Sequence, residues 1–371
     1  MTTLDRLYDS RTNAPDDRTF AVRRFGLLMA LCVVVMGVLI VVHIAVGTLD
    51  FTAREIVLAL FNEAEEELHR QVVWGLRLPR ALVALVAGAM LGLSGAILQT
   101  VTRNPLAAPG LIGVTQGGVL AIVIYIVFAS RVLDFGFVSD AGLVLPLMAL
   151  VGGLGAAVLT YALSYSRGSD PVRLVLVGVL VGAMCTAFTS VLLLSAQDDD
   201  VHRIIRWTVG STSGRVWLHW HTLWPVALIA LPLGTLSAGF ANVLQLGDGV
   251  ARGLGIRIET VRMLLLLVAA LLTAGAVAIV GSVGFIGLIG PHMARRVVGD
   301  DARRLFPMSA VLSAILLISA DIVARTTSIG WLSTVFGLGV PDGAGVPVGA
   351  VTAMLGAPFF LWLLLRSGSE L

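Results

Sequence analysis

The sequence predicts an all-α, polytopic membrane protein with about ten spanning helices, and three observations carry that prediction. Of its 371 residues 57% are hydrophobic and only 13% charged, with a mean hydropathy of +0.94, about half the charge of a soluble globular chain. The apolar residues fall in runs of about twenty, the length that crosses a hydrocarbon core of about 30 Å at 1.5 Å per residue. No stretch between the runs is long enough for a soluble domain.

The elements follow in order. A polar tail over residues 1–24 precedes the first run, 25–46. That run is too long for a signal-peptide core and reads as an uncleaved span, so the chain divides into a tail (1–24) and a transmembrane domain (25–371). Further runs lie at about 81–100, 109–130, 143–165, 173–195, 217–239, 263–280, 306–324 and 347–366. The connection over 47–79 holds an amphipathic patch and the acidic residues Glu63, Glu65, Glu66 and Glu67, which read as a solvated face. Between 263–280 and 306–324 the chain must cross once more to keep its arginines on one side. Too few residues remain for two full spans, so one helix near 282–290 is short or broken. Gly281, Gly284, Gly287 and Gly290 recur there every third residue and Pro291 follows. Irregular backbone at membrane depth is tolerated only inside protein or along a wet cavity, so this segment is expected in the interior. Gly88 and Gly92, like Gly178 and Gly182, have the spacing of close helix packing.

Charge placement gives the orientation. With the N-terminus cytoplasmic, sixteen arginines fall inside and nine outside, the bias expected of a membrane protein; both termini are then cytoplasmic. All 25 basic residues are Arg and none is Lys. A P-loop needs a lysine to reach the β- and γ-phosphates, so any nucleotide that drives this protein binds another subunit. The two cysteines, Cys32 and Cys185, sit inside apolar runs as small hydrophobes. No HExxH or GxSxG motif suggests an enzyme, and nothing suggests a nucleic-acid partner, a metal centre or a cofactor. Ionisable groups at membrane depth are few, namely His43 and Asp321, and read as satisfied structural groups. Ion-coupled carriers need more such groups. A large, already chelated solute needs only a smooth, wide path.

Several segments together resemble one family. They are Arg77-Leu-Pro-Arg80, Gly88 through Gln99, Arg103-Asn104-Pro105-Leu106, Trp207 through Ser211, Leu246-Gly247-Asp248 through Gly255, Gly284 through His292, Ala320-Asp321 through Arg325, and Gly345-Val-Pro347 through Pro358. In this order they resemble the FecCD-type permeases, the membrane subunits of importers for ferric siderophores, haem and cobalamin. The resemblance implies a ten-span permease domain in the inner membrane, paired with a second permease subunit as a homodimer. It also implies an ATP-binding-cassette ATPase dimer below and a periplasmic or lipoprotein substrate-binding protein above. The chain itself is then non-catalytic, and its surroundings are membrane lipid.

Three groups of residues carry over by resemblance. Arg77, Arg80 and Arg325 match arginines that dock the binding protein, although each also reads as an interfacial arginine at a helix end. Gly290, Pro291 and His292, with Arg295 and Arg296, match the segment that couples to the ATPase. A helix starting near Pro291 suits proline's tolerance for the first turn, while the two arginines also read as positive-inside anchors. Asn104, Pro105 and Leu106, with Ser169 in a more loosely matched loop, fall where similar permeases close the cytoplasmic gate; Asn-Pro is equally an ordinary turn starter.

Overall fold

A computed structural model of the protein describes residues 17–47, 51–61, 63, 66–129, 141–166, 170–196, 198–327 and 346–367. Ser169 therefore lies outside the described residues, as do residues 1–16 of the tail and Gly345.

Among the described residues all the long elements are helices, and the expected apolar runs fall on them. Helix α1 (Asp17–Ala45) takes the first run together with the end of the polar tail. A short helix α2 (Ala53–Leu60) follows, opened by a reciprocal cap in which Thr52 and Glu55 each accept from the other's backbone N–H, at 3.4 and 2.7 Å. Then come α3 (Leu78–Thr102), α4 (Val114–Ile124), α5 (Ala141–Ser164), α6 (Pro171–Leu193), α7 (Asp198–Val209), α8 (Trp217–Leu236) and α9 (Ala238–Gln245). The chain closes with α10 (Ile258–Val280), α11 (Ile286–Val298), α12 (Ala302–Thr326) and α13 (Val348–Ser367). Among the described residues six helices are long and apolar enough to cross a membrane, and α8 with α9, bent by 41° between them, makes a seventh candidate. Val114–Phe128 and Val348–Trp362 are shorter apolar helices.

The second span begins earlier than its apolar run. A helical turn at Glu67–Arg70 and a π-helical stretch, Gln71–Arg77, run directly into α3. The charged residues there hide the helix from a hydropathy reading. Pro79 has no N–H to give to the carbonyl five residues back, and that carbonyl, Trp74 O, instead accepts from the Trp217 indole at 2.7 Å.

Helix α3 is the centre of the bundle. From Met90 to Thr102 each residue is buried. Two of its neighbours approach across glycine. A Cβ at Gly88 or Gly92 would meet the backbone or side chain of Ser313 on α12 at 2.7 and 2.1 Å. One at Gly95 would lie 1.8 Å from the Gly287 carbonyl of α11. Pro291, four residues on, cannot donate to that carbonyl, so the contact uses a helix face with an unclaimed acceptor. Gly178 likewise abuts the Leu111 carbonyl, with 2.3 Å to an added Cβ.

The broken segment is inside the protein, but its helix starts earlier than Pro291. Helix α10 ends at Val280, the backbone turns at Gly281 (φ 73°) and Phe285 (φ 66°), and α11 begins at Ile286. Gly281, Val283, Ile286, Gly287, Leu288 and Gly290 are buried. The break finds partners in the last turn of α7 and the loop after it: Ser282 N–H donates to Trp207 O at 3.0 Å, and Ser211 N–H to Val280 O at 2.8 Å. Pro291 consequently sits within α11 rather than at its start. Left-handed turns at Gly281 and Phe285, not proline, set where the helix begins.

Candidate functional site at the two ends of the bundle

The π-helical stretch before α3, α3 itself and α12 bring Arg77, Arg80 and Arg325 together at one end of the bundle. All three line a depression of about 210 Å³, together with Arg215 from the loop before α8. Each guanidinium also has a structural bond. Arg77 is buried and donates to the carbonyls of Ile44 and Ala45 at 2.7 and 3.0 Å, with its head 4.5 Å from the Phe51 ring centre. Arg325 donates to His43 O at 3.1 Å. Arg80 grips the carboxylate of Asp321 with two hydrogen bonds, 2.9 and 2.7 Å, the bidentate geometry that guanidinium and carboxylate share.

Asp321 is the hub of this end. It is fully buried, and beside Arg80 it takes His43 Nε2 at 2.7 Å and the Thr212 hydroxyl. Four separate parts of the chain thus meet on one carboxylate: α1, α3, the 210–216 loop and α12. The two ionisable groups read from the sequence as satisfied structural groups, His43 and Asp321, are hydrogen-bonded to each other, a pairing the sequence did not give.

At the opposite end α3 stops at Arg103, whose left-handed backbone (φ 50°) closes the helix. The turn that follows is held by Asn104, whose Oδ1 accepts from Leu106 N–H at 2.9 Å while its carbonyl accepts from Ala107 N–H at 3.0 Å. Asn104 and Leu106 are half-buried and Pro105 is exposed. Arg103 in turn donates to Asp248 at 2.5 Å, and the buried Arg262 reaches the same carboxylate at 3.3 Å. Burial alone would push the Asp248 carboxyl up; the hydrogen bond from Arg103 and the charge of Arg262 outweigh it and hold the group below the ordinary carboxylate value.

The turn over residues 104–106 and α11 share a pocket of about 360 Å³ lined by Gln99, Arg103, Pro105 and Arg295. Arg295 spans it, donating to Gln99 Oε1 at 2.9 Å and to Asp300 at 2.6 Å. Arg296 lies over the Trp362 ring at 5.3 Å. Gly290 packs on Ser313 of α12. His292 meets the Phe359 ring edge-on at 5.8 Å, and both its ring nitrogens are buried without a hydrogen-bond partner among the described residues. The arginine pocket and this second site are thus joined by α3, which carries Arg80 near its first turn and Gln99 and Arg103 at its last. Sequence reasoning did not single out Arg215, Gln99 or Arg262. Arg215 shares the polar stretch between two apolar runs with Arg203 and Arg206 and nothing in the sequence sets it apart, and the other two carry no signal without their partners.

A polytopic helical bundle with a polar pocket at each end and a buried, glycine-packed shaft between them has the build of a membrane permease. The comparisons specify which. The model of the FecCD transport family matches residues 33–366, and the chain belongs to that family. The iron(3+)-hydroxamate import system permease of Bacillus subtilis (strain 168) is 35% identical over 347 residues, covering 92% of this chain and 97% of the relative. An Fe(3+)-citrate import system permease of the same organism is 34% identical over 338 residues, 91% and 94% of the two chains. Among solved structures, an inward-facing conformation of a protein described as a metal-chelate type ABC transporter superposes with a TM-score of 0.77 at 27% identity, covering 92% of this chain and 99% of that one.

Proposed function

We propose that this chain is the permease subunit of an ATP-binding-cassette importer that carries an iron chelate into the cytoplasm by alternating access. The observation that carries the reading is the family match, which extends over nearly the whole described bundle and includes both ends of α3. A ferric siderophore is the first candidate cargo, with haem and cobalamin behind it. The absence of lysine supports a separate ATPase dimer as the motor, leaving this subunit without catalysis of its own. A second permease copy, a periplasmic or lipoprotein binding protein, an inner-membrane location and cytoplasmic termini complete the arrangement, with residues 1–24 as a cytoplasmic tail.

The two ends then take distinct roles. Arg77, Arg80 and Arg325 face the exterior and receive carboxylates of the binding protein; their shared open depression supports this. Asn104, Pro105 and Leu106, with Ser169, form the cytoplasmic gate. Gly290, Pro291, His292, Arg295 and Arg296 form the coupling surface, and the Arg295–Gln99 bond supports a connection between that surface and the gate turn. The test is uptake into vesicles. Chain reconstituted with its ATPase and binding protein should accumulate a ferric chelate only with ATP. Uphill uptake by the chain alone, driven by a proton or sodium gradient, would overturn the reading. Replacing Pro291 by Leu together with His292 by Ala should abolish the stimulation of ATP hydrolysis by loaded binding protein; intact stimulation removes the coupling role.

A further inference from the structure

A second depression, of about 300 Å³, adjoins the arginine pocket and shares Gly214 and Arg215 with it. Its wall is built from α7 and the loop that follows, and includes Arg203, Arg206, Arg215, His219 and Ser213. Helix α7 is amphipathic: Ile204 and Trp207 are buried, while Arg203 and Arg206, three residues apart and so on one face, are exposed. The nearest described carboxylate to Arg203 is Asp200, at 3.8 Å. Arg206 has no ion pair or hydrogen bond through its side chain among the described residues.

Arg215 is the best-defined part of this wall. Its head lies 5.2 Å over the Trp207 ring, and its Nε is buried with no hydrogen-bond partner among the described residues. Burial, and then the charges of Arg206 and Arg80, push its pKa down to about 10, the response of a cation short of an anion. Its Nη1 faces His219 Nε2 at 3.3 Å. The Val216 amide faces the other ring nitrogen, Nδ1, also at 3.3 Å. A neutral imidazole has one acceptor nitrogen, so it cannot satisfy both donors, and an acceptor from a ligand would complete the set.

We propose that Arg203, Arg206, Arg215 and His219 form a carboxylate-binding subsite, through which the importer favours an anionic polycarboxylate iron chelate over an uncharged one. This rests on the permease reading above and narrows its substrate class. Guanidinium groups recognise carboxylates bidentately and read geometry as well as charge. A concave pocket of this volume suits a small chelate held by a few convergent polar groups. The shared residue Arg215 puts the subsite beside the proposed docking pocket, where released cargo would arrive.

The experiment compares uptake of radioactive iron as a ferric citrate complex and as a neutral ferric trihydroxamate, in vesicles carrying the complete importer. The readout is the citrate-to-trihydroxamate ratio, measured for the natural protein, Arg206→Gln and Arg206→Lys, alongside formation of the complex with the binding protein. Arg206 is exposed, so its replacement leaves the packed bundle intact. The ratio should fall about tenfold in Arg206→Gln, the effect of losing one charged hydrogen-bonding partner, and fall less in Arg206→Lys, which keeps the charge but not the bidentate geometry. An unchanged ratio in Arg206→Gln overturns the subsite. A parallel loss of both chelates with weaker complex formation also overturns it, assigning the arginine to a carboxylate of the binding protein. Uptake of the trihydroxamate but not of citrate by the natural protein refutes the subsite and leaves the permease reading standing. Uptake of neither, under ATP, refutes the subsite and confines the permease reading to haem or cobalamin, which the same vesicles then test.

Discussion

Replacing Asp321 by Ala should be among the most destabilising single changes in this protein. Its carboxylate is fully buried and accepts two hydrogen bonds from Arg80, one from His43 and one from Thr212. Removing it leaves a largely buried guanidinium without its carboxylate and two further polar groups without partners. Breaking a buried pair by deleting one member costs about 3–5 kcal/mol, most of it from the charge left behind. Asp321→Asn keeps one acceptor oxygen and the side-chain volume, so about half that loss is expected. The double variant Asp321→Asn with Arg80→Gln should recover part of the deficit, since no uncompensated charge then remains. The assay is thermal unfolding in detergent followed with a thiol-reactive dye. Cys32 and Cys185, the two cysteines of the chain, are free and half-buried, and the dye reports their exposure. Unfolding of such a protein can be irreversible, so variants are ranked at one scan rate. If Asp321→Ala melted with the natural protein, or the double variant were the sum of its singles, the hub would not have the energetic role its geometry implies.

Three other outcomes follow from the packing. Gly95→Ala would place a Cβ 1.8 Å from the Gly287 carbonyl, between two backbones that have little room to move; folded yield should collapse, while Gly26→Ala in α1, with nothing within 4 Å, should leave it unchanged. Asp248→Asn loosens Arg103 and Arg262 and should cost about 1–2 kcal/mol near neutral pH. Because the folded carboxyl is held below its ordinary value, its stabilisation is complete above a pH of about 4 and is lost as the pH falls through the folded value. The difference from the natural protein in a pH series of melting temperatures should therefore shrink in acid. Trp217→Phe removes the indole donor from the Trp74 carbonyl at 2.7 Å and should lower stability by about 1 kcal/mol, read from the same thermal assay.

The membrane class and the positions of the spans were legible because a spanning helix needs a continuous apolar run, and hydropathy detects little else. Where a helix carries charge, the same reading stops early. Glu67, His69 and Arg70 concealed the turns that extend α3 upstream. Pro291 suggested a helix start by its intrinsic preference, but the preceding backbone decided otherwise, through left-handed turns at Gly281 and Phe285. Phenylalanine at such a position carries no local signal of it. At the sites, Arg77, Arg80 and Arg325 were legible only through the family resemblance. Their meeting point with Arg215 was not, because three elements far apart in sequence supply it. Asp321 could be picked out as a rare charge at depth, and His43 as its neighbour in rarity; that Arg80 and Thr212 share the same carboxylate is a fact of the tertiary structure.

Helix α3 has a mechanical consequence. Its 25 residues make a rod of roughly 37 Å at 1.5 Å per residue. Arg80 is fastened near one tip and Gln99 at the other, with glycine contacts to α11 and α12 between them. A rod pinned near its middle moves its tips in opposite directions: a tilt of about 5° displaces each by roughly 1.6 Å over a half-length of about 19 Å. That is enough to break or remake a hydrogen bond at either tip without any change inside the helix.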